Sequence, residues 1–247
     1  MSSPLAPLYI GPLQHLAPPT VGQAPAVGTV PAYRLAESAY LVELLKRFGA
    51  QYPRGDRRAV ASLWSKWHFS ALIGHGLAAR LLLGRELPLS LEALSLTLSP
   101  AGQTTGFQLA HAGQAIDEPP GSVRFAALLD GHLAPLIATL AAVSEASPRV
   151  FWSNAGSYVA HFAEALETHP LAAPGACAAA QTLMTERTWP DGRRNPLYQP
   201  VRRVNGEDGT PHQVRRVCCL RYRIEELDVC GNCPLACRGK RGQAVPP

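Results

Sequence analysis

Six cysteines occur in the 247 residues, and four of them fall in CCLRYRIEELDVCGNC, Cys218 to Cys233. The spacing is C-C-x10-C-x2-C. Thiols gathered this tightly serve as metal ligands or as a redox dithiol. Gly231 and Asn232 sit inside the CxxC, and both tolerate positive φ, so two thiolates can converge with backbone amides facing sulfur. Pro234 follows the last thiol, as proline does in some iron–sulfur ligand runs. The adjacent pair is the unusual part. On an extended strand, Cys218 and Cys219 would point to opposite faces.

Three chemistries compete for this arrangement. A structural zinc site prefers two CxxC-like knuckles, and neighbouring cysteines make a poor one. A thioredoxin-like dithiol uses only the CxxC and sits in a βαβ context that is missing here. An iron–sulfur cluster spreads two or more metals over a wider footprint and accommodates diverging neighbours more readily. Cys237 has no partner that spacing would predict. Cys177 lies in an alanine-rich helical stretch and reads as a small buried residue.

The other candidates are weaker. GHGLAA, Gly74 to Ala79, fits the pattern of a dinucleotide-binding turn, but helical periodicity precedes it where a strand is required. It reads as a helix packing point. His68 and His75 share one helix face at a spacing of seven, not the i, i+4 spacing that brings two ligands to one metal. His212 lies near the cysteines as a turn residue or proton donor. Trp64, Trp67 and the FWSN segment (Phe151 to Asn154) read as core aromatics, with a ligand-pocket wall as the competing reading.

The net charge is +5, unevenly spread. Residues 187–247 hold twelve Lys/Arg against six Asp/Glu, and the rest hold eleven against twelve. The basic character therefore belongs to the cysteine-bearing segment. Val60 to Leu83, the most hydrophobic long stretch, contains Lys66, His68, His75 and Arg80, which argues against a membrane span. Prolines break up the N-terminus where a signal peptide would need an apolar run. A cytoplasmic protein with reduced thiols is expected.

The surrounding elements follow from periodicity and caps. Residues 1–31 read as a proline-rich arm over a surface. Arg34 to Phe48 reads as a helix closed by Gly49. Asp56 caps a long helix with the apolar stripe Val60, Leu63, Trp64, Trp67, Ala71, Ala78 and Leu82, ended by Gly84. Leu91 to Leu98 and Thr104 to Leu109 form a hairpin. Ser122 to Ala146 is helical, kinked near Gly131 and Pro135. Ser147-Pro148 opens a helix to about Glu167. Pro174 to Trp189 is a helix stopped by Pro190. Residues 196–204 and 212–224 read as strands around the turn GEDGT. The expected fold class is α+β: a Pro-rich arm (1–31), a mainly helical body with a small antiparallel sheet (32–190), and a basic C-terminal hairpin and cysteine-rich module (191–247).

RRVCCLRYRIEELDVCGNCPL, Arg215 to Leu235, resembles the C-terminal signature of the FhuF-type ferric siderophore reductases. WSKWHF (Trp64 to Phe69), FWSNAGSY (Phe151 to Tyr158) and NPL (Asn195 to Leu197) resemble that family's other segments. The resemblance implies a [2Fe–2S] cluster with Cys218, Cys219, Cys230 and Cys233 as ligands. It implies one-electron reduction of a ferric siderophore, typically a hydroxamate, to release Fe(II). Electrons would come from a separate donor, a ferredoxin-like protein or small reductant, because no flavin or nicotinamide site is visible. Arg215, Arg216, Arg221, Arg223 and Arg238 would offset the cluster's negative charge and raise its potential. They would also suit an acidic donor or an anionic inner-membrane surface beside an importer. The alternative from another class is a zinc-stabilised module whose basic C-terminus binds nucleic acid or a protein. Only Tyr198 and Tyr222 interleave the arginines and no nucleic-acid motif is present, so nucleic acid is not an expected partner.

Overall fold

The structure, a computed structural model, describes residues 4–22, 26, 28–116, 125–189, 191–205 and 210–236. Ser122, Pro190, most of GEDGT, Cys237 and Arg238 lie outside the described residues.

The proline-rich segment opens with two 3-10 turns, Ala6–Leu8 and Gly11–Leu13, followed by strands β1 (Thr20–Val21) and β2 (Thr29–Pro31). Leu5, Leu8 and Leu13 are fully buried, so the arm fills part of the core as well as covering it. A 3-10 turn at Ala32–Ala36 leads into α1 (Ser38–Gly49), slightly later than periodicity predicts.

Helix α2 (Arg57–Leu83) is the central element. The Asp56 side chain accepts a hydrogen bond from the Arg58 backbone N–H at 2.8 Å, and Gly84 takes the left-handed conformation (φ 59°) that ends the helix. Trp64 is buried, and its indole N–H donates to the Gly102 carbonyl. Trp67 departs from the expected stripe and is 50% exposed. The GHGLAA segment lies inside this helix, as its periodicity predicts. A Cβ on Gly74 would come within 2.8 Å of the Phe162 ring, so the glycine permits close helix packing.

After α2 come β3 (Arg85–Glu86), β4 (Leu94–Leu98), β5 (Thr104–Leu109) and β6 (Gln114–Ala115). The hairpin pairs Leu94 with Leu109, and the strand order is β1-β5-β4-β2. β1 runs parallel to β5, and the other pairs in this sheet are antiparallel. Helix α3 (Ala126–Leu128) passes through a π-helical turn (Leu129–Leu133) into α4 (Ala134–Ser144). Gly131, one of the two residues expected to kink or split the helix, lies in this π turn, and Pro135 in the first turn of α4. A Cβ on Gly131 would stand 2.7 Å from that of Ser90.

Ser147 caps α5 (Pro148–Leu166), with Pro148 at its first position, as the sequence predicts. Helices α2 and α5 pack face to face. Helix α6 (Ala178–Thr185) is shorter than expected. Asn195 of the NPL motif donates from Nδ2 to the carbonyls of Leu183 (2.6 Å) and Glu186 (2.8 Å), satisfying the end of that helix.

Next comes the hairpin β7 (Val201–Asn205) and β8 (Pro211–Arg215). The second strand therefore stops well short of residue 224. Leu220 is left-handed (φ 63°), and a 3-10 turn follows at Arg221–Arg223. The pairing of β8 ends at Arg215 because the partner residue, Val201, is the first of β7, and Pro200 before it has no N–H to donate.

Pro200, just before β7, lies against α5. A Cβ on Gly156 would stand 2.5 Å from Pro200 Cβ, and a proline ring cannot swing away. Gly156→Ala should therefore destabilise the protein by about 1 to 2 kcal/mol, overpacking outweighing the gain in helix propensity. Equilibrium denaturation of the variant checks this. Unchanged or higher stability would contradict the packing.

Candidate functional site

The cysteines sit where the C-terminal segment folds back against the ends of α2 and α5. Cys219, Cys230 and Cys233 form a small buried group of their own, and Cys218 is half-buried at its side. The turn at Leu220 makes this arrangement work. Its backbone N–H donates to Cys218 Sγ at 3.3 Å, and because residues 218 and 219 are not in a strand, the opposite-face rule for neighbours is lifted. The CxxC closes as a turn, with Cys233 N–H on the Cys230 carbonyl at 3.0 Å. Asn232 then accepts from the Arg215 N–H at 3.0 Å, tying the CxxC to the end of β8.

The described cysteines are all free thiols. Cys219 and Cys230 have their sulfurs 3.5 Å apart. A disulfide would need about 2.05 Å. Two thiolates on one tetrahedral metal at about 2.3 Å stand about 3.8 Å apart. Among the described residues, no three His, Cys, Asp or Glu side chains gather tightly enough for one metal ion.

The electrostatics are more telling. Arg215 is 1% exposed. Its guanidinium donates to Ser153 Oγ (3.3 Å), to Asn154 Oδ1 and to the Val217 carbonyl (3.3 Å). All three acceptors are neutral, so a buried cation stands beside the thiols without a carboxylate. Asn154 is free to face it because its own amide donates to Ser62 and Ser65 of α2. Ser62 Oγ in turn donates to the Cys219 carbonyl at 2.8 Å, and Ser153 Oγ to the Val217 carbonyl at 3.2 Å. Polar residues of α2 and α5 thus hold both the guanidinium and the backbone on either side of the adjacent cysteines.

These surroundings favour thiolate at Cys219. The hydrogen bond from Cys230, then the charges of Arg215 and Lys66, lower it to about 5. The same hydrogen bond, burial and the negative charge at Cys219 push Cys230 up. Burial raises Cys218. A donor set of four thiols beside an unanswered buried cation suits an anionic metal–sulfur centre. A single zinc on four thiolates would also be anionic, so the charge balance alone does not separate the two.

Two clefts flank this region. One, of about 460 Å³, is lined by Lys66, Tyr158, His161, Glu164, Arg221 and Cys230, among others. The other, of about 790 Å³, carries Arg149, Arg187, Arg194 and Arg216 with Trp152 and Tyr198, and no carboxylate lines it. FWSN thus divides its labour: Trp152 walls the larger cleft and Asn154 holds Arg215.

The arginines that look alike in the sequence have different fates. Arg223 pairs with Asp56 at 2.8 Å, Arg216 reaches Gln199 at 2.9 Å, and Arg215 alone is buried. His68, His75 and His132 serve the core. His68 Nε2 meets His132 Nε2 at 2.8 Å, and Tyr9 hydrogen-bonds His75 at 2.9 Å. Burial lowers all three, His75 and His132 to about 4. His212 is exposed on β8. Sequence reasoning missed Ser62, Ser65 and Asn154 as the cradle, though Asn154 lies in a segment the resemblance had marked.

Residues 62–211 match the family described as "Ferric iron reductase FhuF-like transporter", and residues 215–235 match "FhuF 2Fe-2S C-terminal domain". The C-terminal match makes a [2Fe–2S] cluster the cofactor. The "Ferric siderophore reductase" of Escherichia coli (strain K12) is 26% identical over 182 residues, covering 73% of this chain and 67% of that protein.

Asn154→Ala removes the acceptor for a buried cation and the amide that donates to Ser62 and Ser65. It should cost about 2 to 4 kcal/mol, more than a surface deletion. The midpoint of chemical denaturation reports this, and a shift below half that size would contradict the role given to Asn154.

Proposed function

The chain belongs to the FhuF-like ferric iron reductase family, and on that premise we propose that it reduces iron(III) bound in a siderophore by one electron and so releases Fe(II). The observation that carries this reading is the convergence of four free thiols beside the buried, carboxylate-free Arg215. Cys218, Cys219, Cys230 and Cys233 would hold the [2Fe–2S] cluster. When bound, the cluster supplies electrons one at a time.

The residues around it do the rest. Arg215 offsets the negative charge of four thiolates and favours the more negative reduced state. Ser62 and Ser153 fix the backbone flanking Cys218 and Cys219. Burial of three of the four sulfurs keeps water away from the centre.

The substrate is a hydroxamate-type siderophore. Its hard oxygens hold the smaller, more charged Fe(III) far more tightly than Fe(II), so one electron loosens the chelate. The electron donor is a separate ferredoxin-like protein or small reductant. The larger cleft supports this: its four arginines face no lining carboxylate and complement an acidic surface. The reaction is placed in the cytoplasm, at or near the inner membrane.

The direct test reduces the anaerobic protein with dithionite, removes the excess and adds a ferric hydroxamate with an Fe(II)-trapping chelator. Trapped Fe(II) and return of the oxidised spectrum are expected. A coloured protein that stays reduced would remove the assigned activity. Cys230→Ser should abolish or distort the visible absorption, whereas Cys177→Ser, just before α6, should leave it unchanged. Arg215→Gln should move the reduction potential to a more negative value, because a positive charge near the centre is lost. An unchanged potential, read by spectroelectrochemistry, would contradict the charge role.

A further inference from the structure

We infer that the cleft beside Cys230 is the substrate site, and that Lys66 and Arg221 select iron(III) chelates of net negative charge. The inference rests on the reductase reading and adds the place and the charge class of the substrate.

The cleft brings solvent-accessible space to a sulfur of the site, since Cys230, Gly231 and Asn232 form part of its wall. Three cations line it: Lys66 from α2, Arg215 from the end of β8, and Arg221 from the turn after the adjacent cysteines. Arg215 is already engaged with Ser153 and Asn154. The other two are not. Lys66 and Arg221 make none of the ion pairs among the described residues. Arg221 Nε is shut off from water and has no hydrogen-bond acceptor. A nitrogen shut off from water is not itself reached by a ligand, so Arg221 acts in the cleft through its charge.

Glu164 is the one carboxylate in the wall, and it does not neutralise them. Its two oxygens accept from Arg203 at 3.0 Å and Gln213 at 2.6 Å. The cleft therefore presents uncompensated positive charge to whatever enters.

A cleft of about 460 Å³ takes a small chelate or one face of a larger one, but not a protein surface. Oxygen donors around iron(III) carry negative charge, and a carboxylate arm adds more. One electron passes from the reduced protein to the iron(III) chelate, leaving the protein oxidised and the chelate as iron(II), one unit more negative. No bond to the protein forms or breaks. Lys66 and Arg221 favour that added charge, so they assist transfer as well as binding.

Gallium(III) separates binding from reduction, because it matches iron(III) in charge and cannot accept the electron. Two complexes are titrated into the oxidised holoprotein by calorimetry: the neutral tris(acetohydroxamate), and its analogue from a hydroxamic acid with a free carboxylate. The anionic complex should bind at least about tenfold more tightly. Lys66→Gln and Arg221→Gln should each lower that affinity severalfold, and the double variant should reach the neutral level. Affinity for the neutral complex should stay unchanged. Arg221→Lys should restore part of the preference, and Lys46→Gln, on the exposed face of α1, should change nothing. The visible spectrum confirms that each variant keeps its cluster.

Equal affinities in the wild type, or variants that weaken both complexes alike, would overturn the inference. If the anionic preference and its loss are found but reduced protein passes no electron to the iron(III) counterparts, the anion site stands and the reductase reading fails.

Discussion

A guanidinium carried into a protein interior must meet negative charge or lose several kcal/mol of solvation. Arg215 meets only neutral oxygens from Ser153, Asn154 and Val217. The account of this protein turns on that imbalance. Four thiols lie alongside, and as thiolates around a [2Fe–2S] cluster they would supply the missing charge. The polar residues that interrupt the α2–α5 interface then have a reason. Ser62, Ser65 and Asn154 are a costly set to bury between helices, and they are satisfied only as a network that ends on Arg215 and the Cys219 carbonyl.

The same constraint explains how two parts of the chain make one site. The helical body contributes the cradle, and the C-terminal segment contributes the sulfurs. They are fastened at several points. Asp56 caps α2 and also pairs with Arg223, while its backbone N–H reaches the Arg223 carbonyl at 3.3 Å. The Arg58 and Arg223 guanidiniums hold its carboxyl well below the usual carboxylate range. Gly156 lets Pro200 approach α5, and the Pro200 carbonyl accepts from the Arg216 N–H at 3.0 Å. Each fastening acts on the residues just before or after the adjacent cysteines, so the sulfur positions inherit the rigidity of the core.

Local signals in the sequence were readable where a single residue decides the structure. Asp56, Gly84 and Ser147-Pro148 mark helix ends that appear at those residues. The cysteine spacing marked the site, and the resemblance marked its chemistry. Features that depend on tertiary partners were not readable. Trp67 fits an apolar stripe but faces outward. The strand pattern over 212–224 breaks after Arg215 because its partner strand begins at Val201, with Pro200 before it. Five arginines near the thiols look alike in one dimension, and packing alone distinguishes the buried Arg215 from the Asp56-bound Arg223. Leu5, Leu8 and Leu13 are scattered among prolines, with no periodicity to announce their burial.

The central claim is that an anionic two-iron centre, held by Cys218, Cys219, Cys230 and Cys233, answers the charge of Arg215. Metal and acid-labile sulfide analysis of anaerobically purified protein tests it most directly. The account predicts a reddish-brown protein with two irons and two sulfides per chain, bleached by dithionite. A colourless protein with one tightly bound zinc per chain and no sulfide would contradict it.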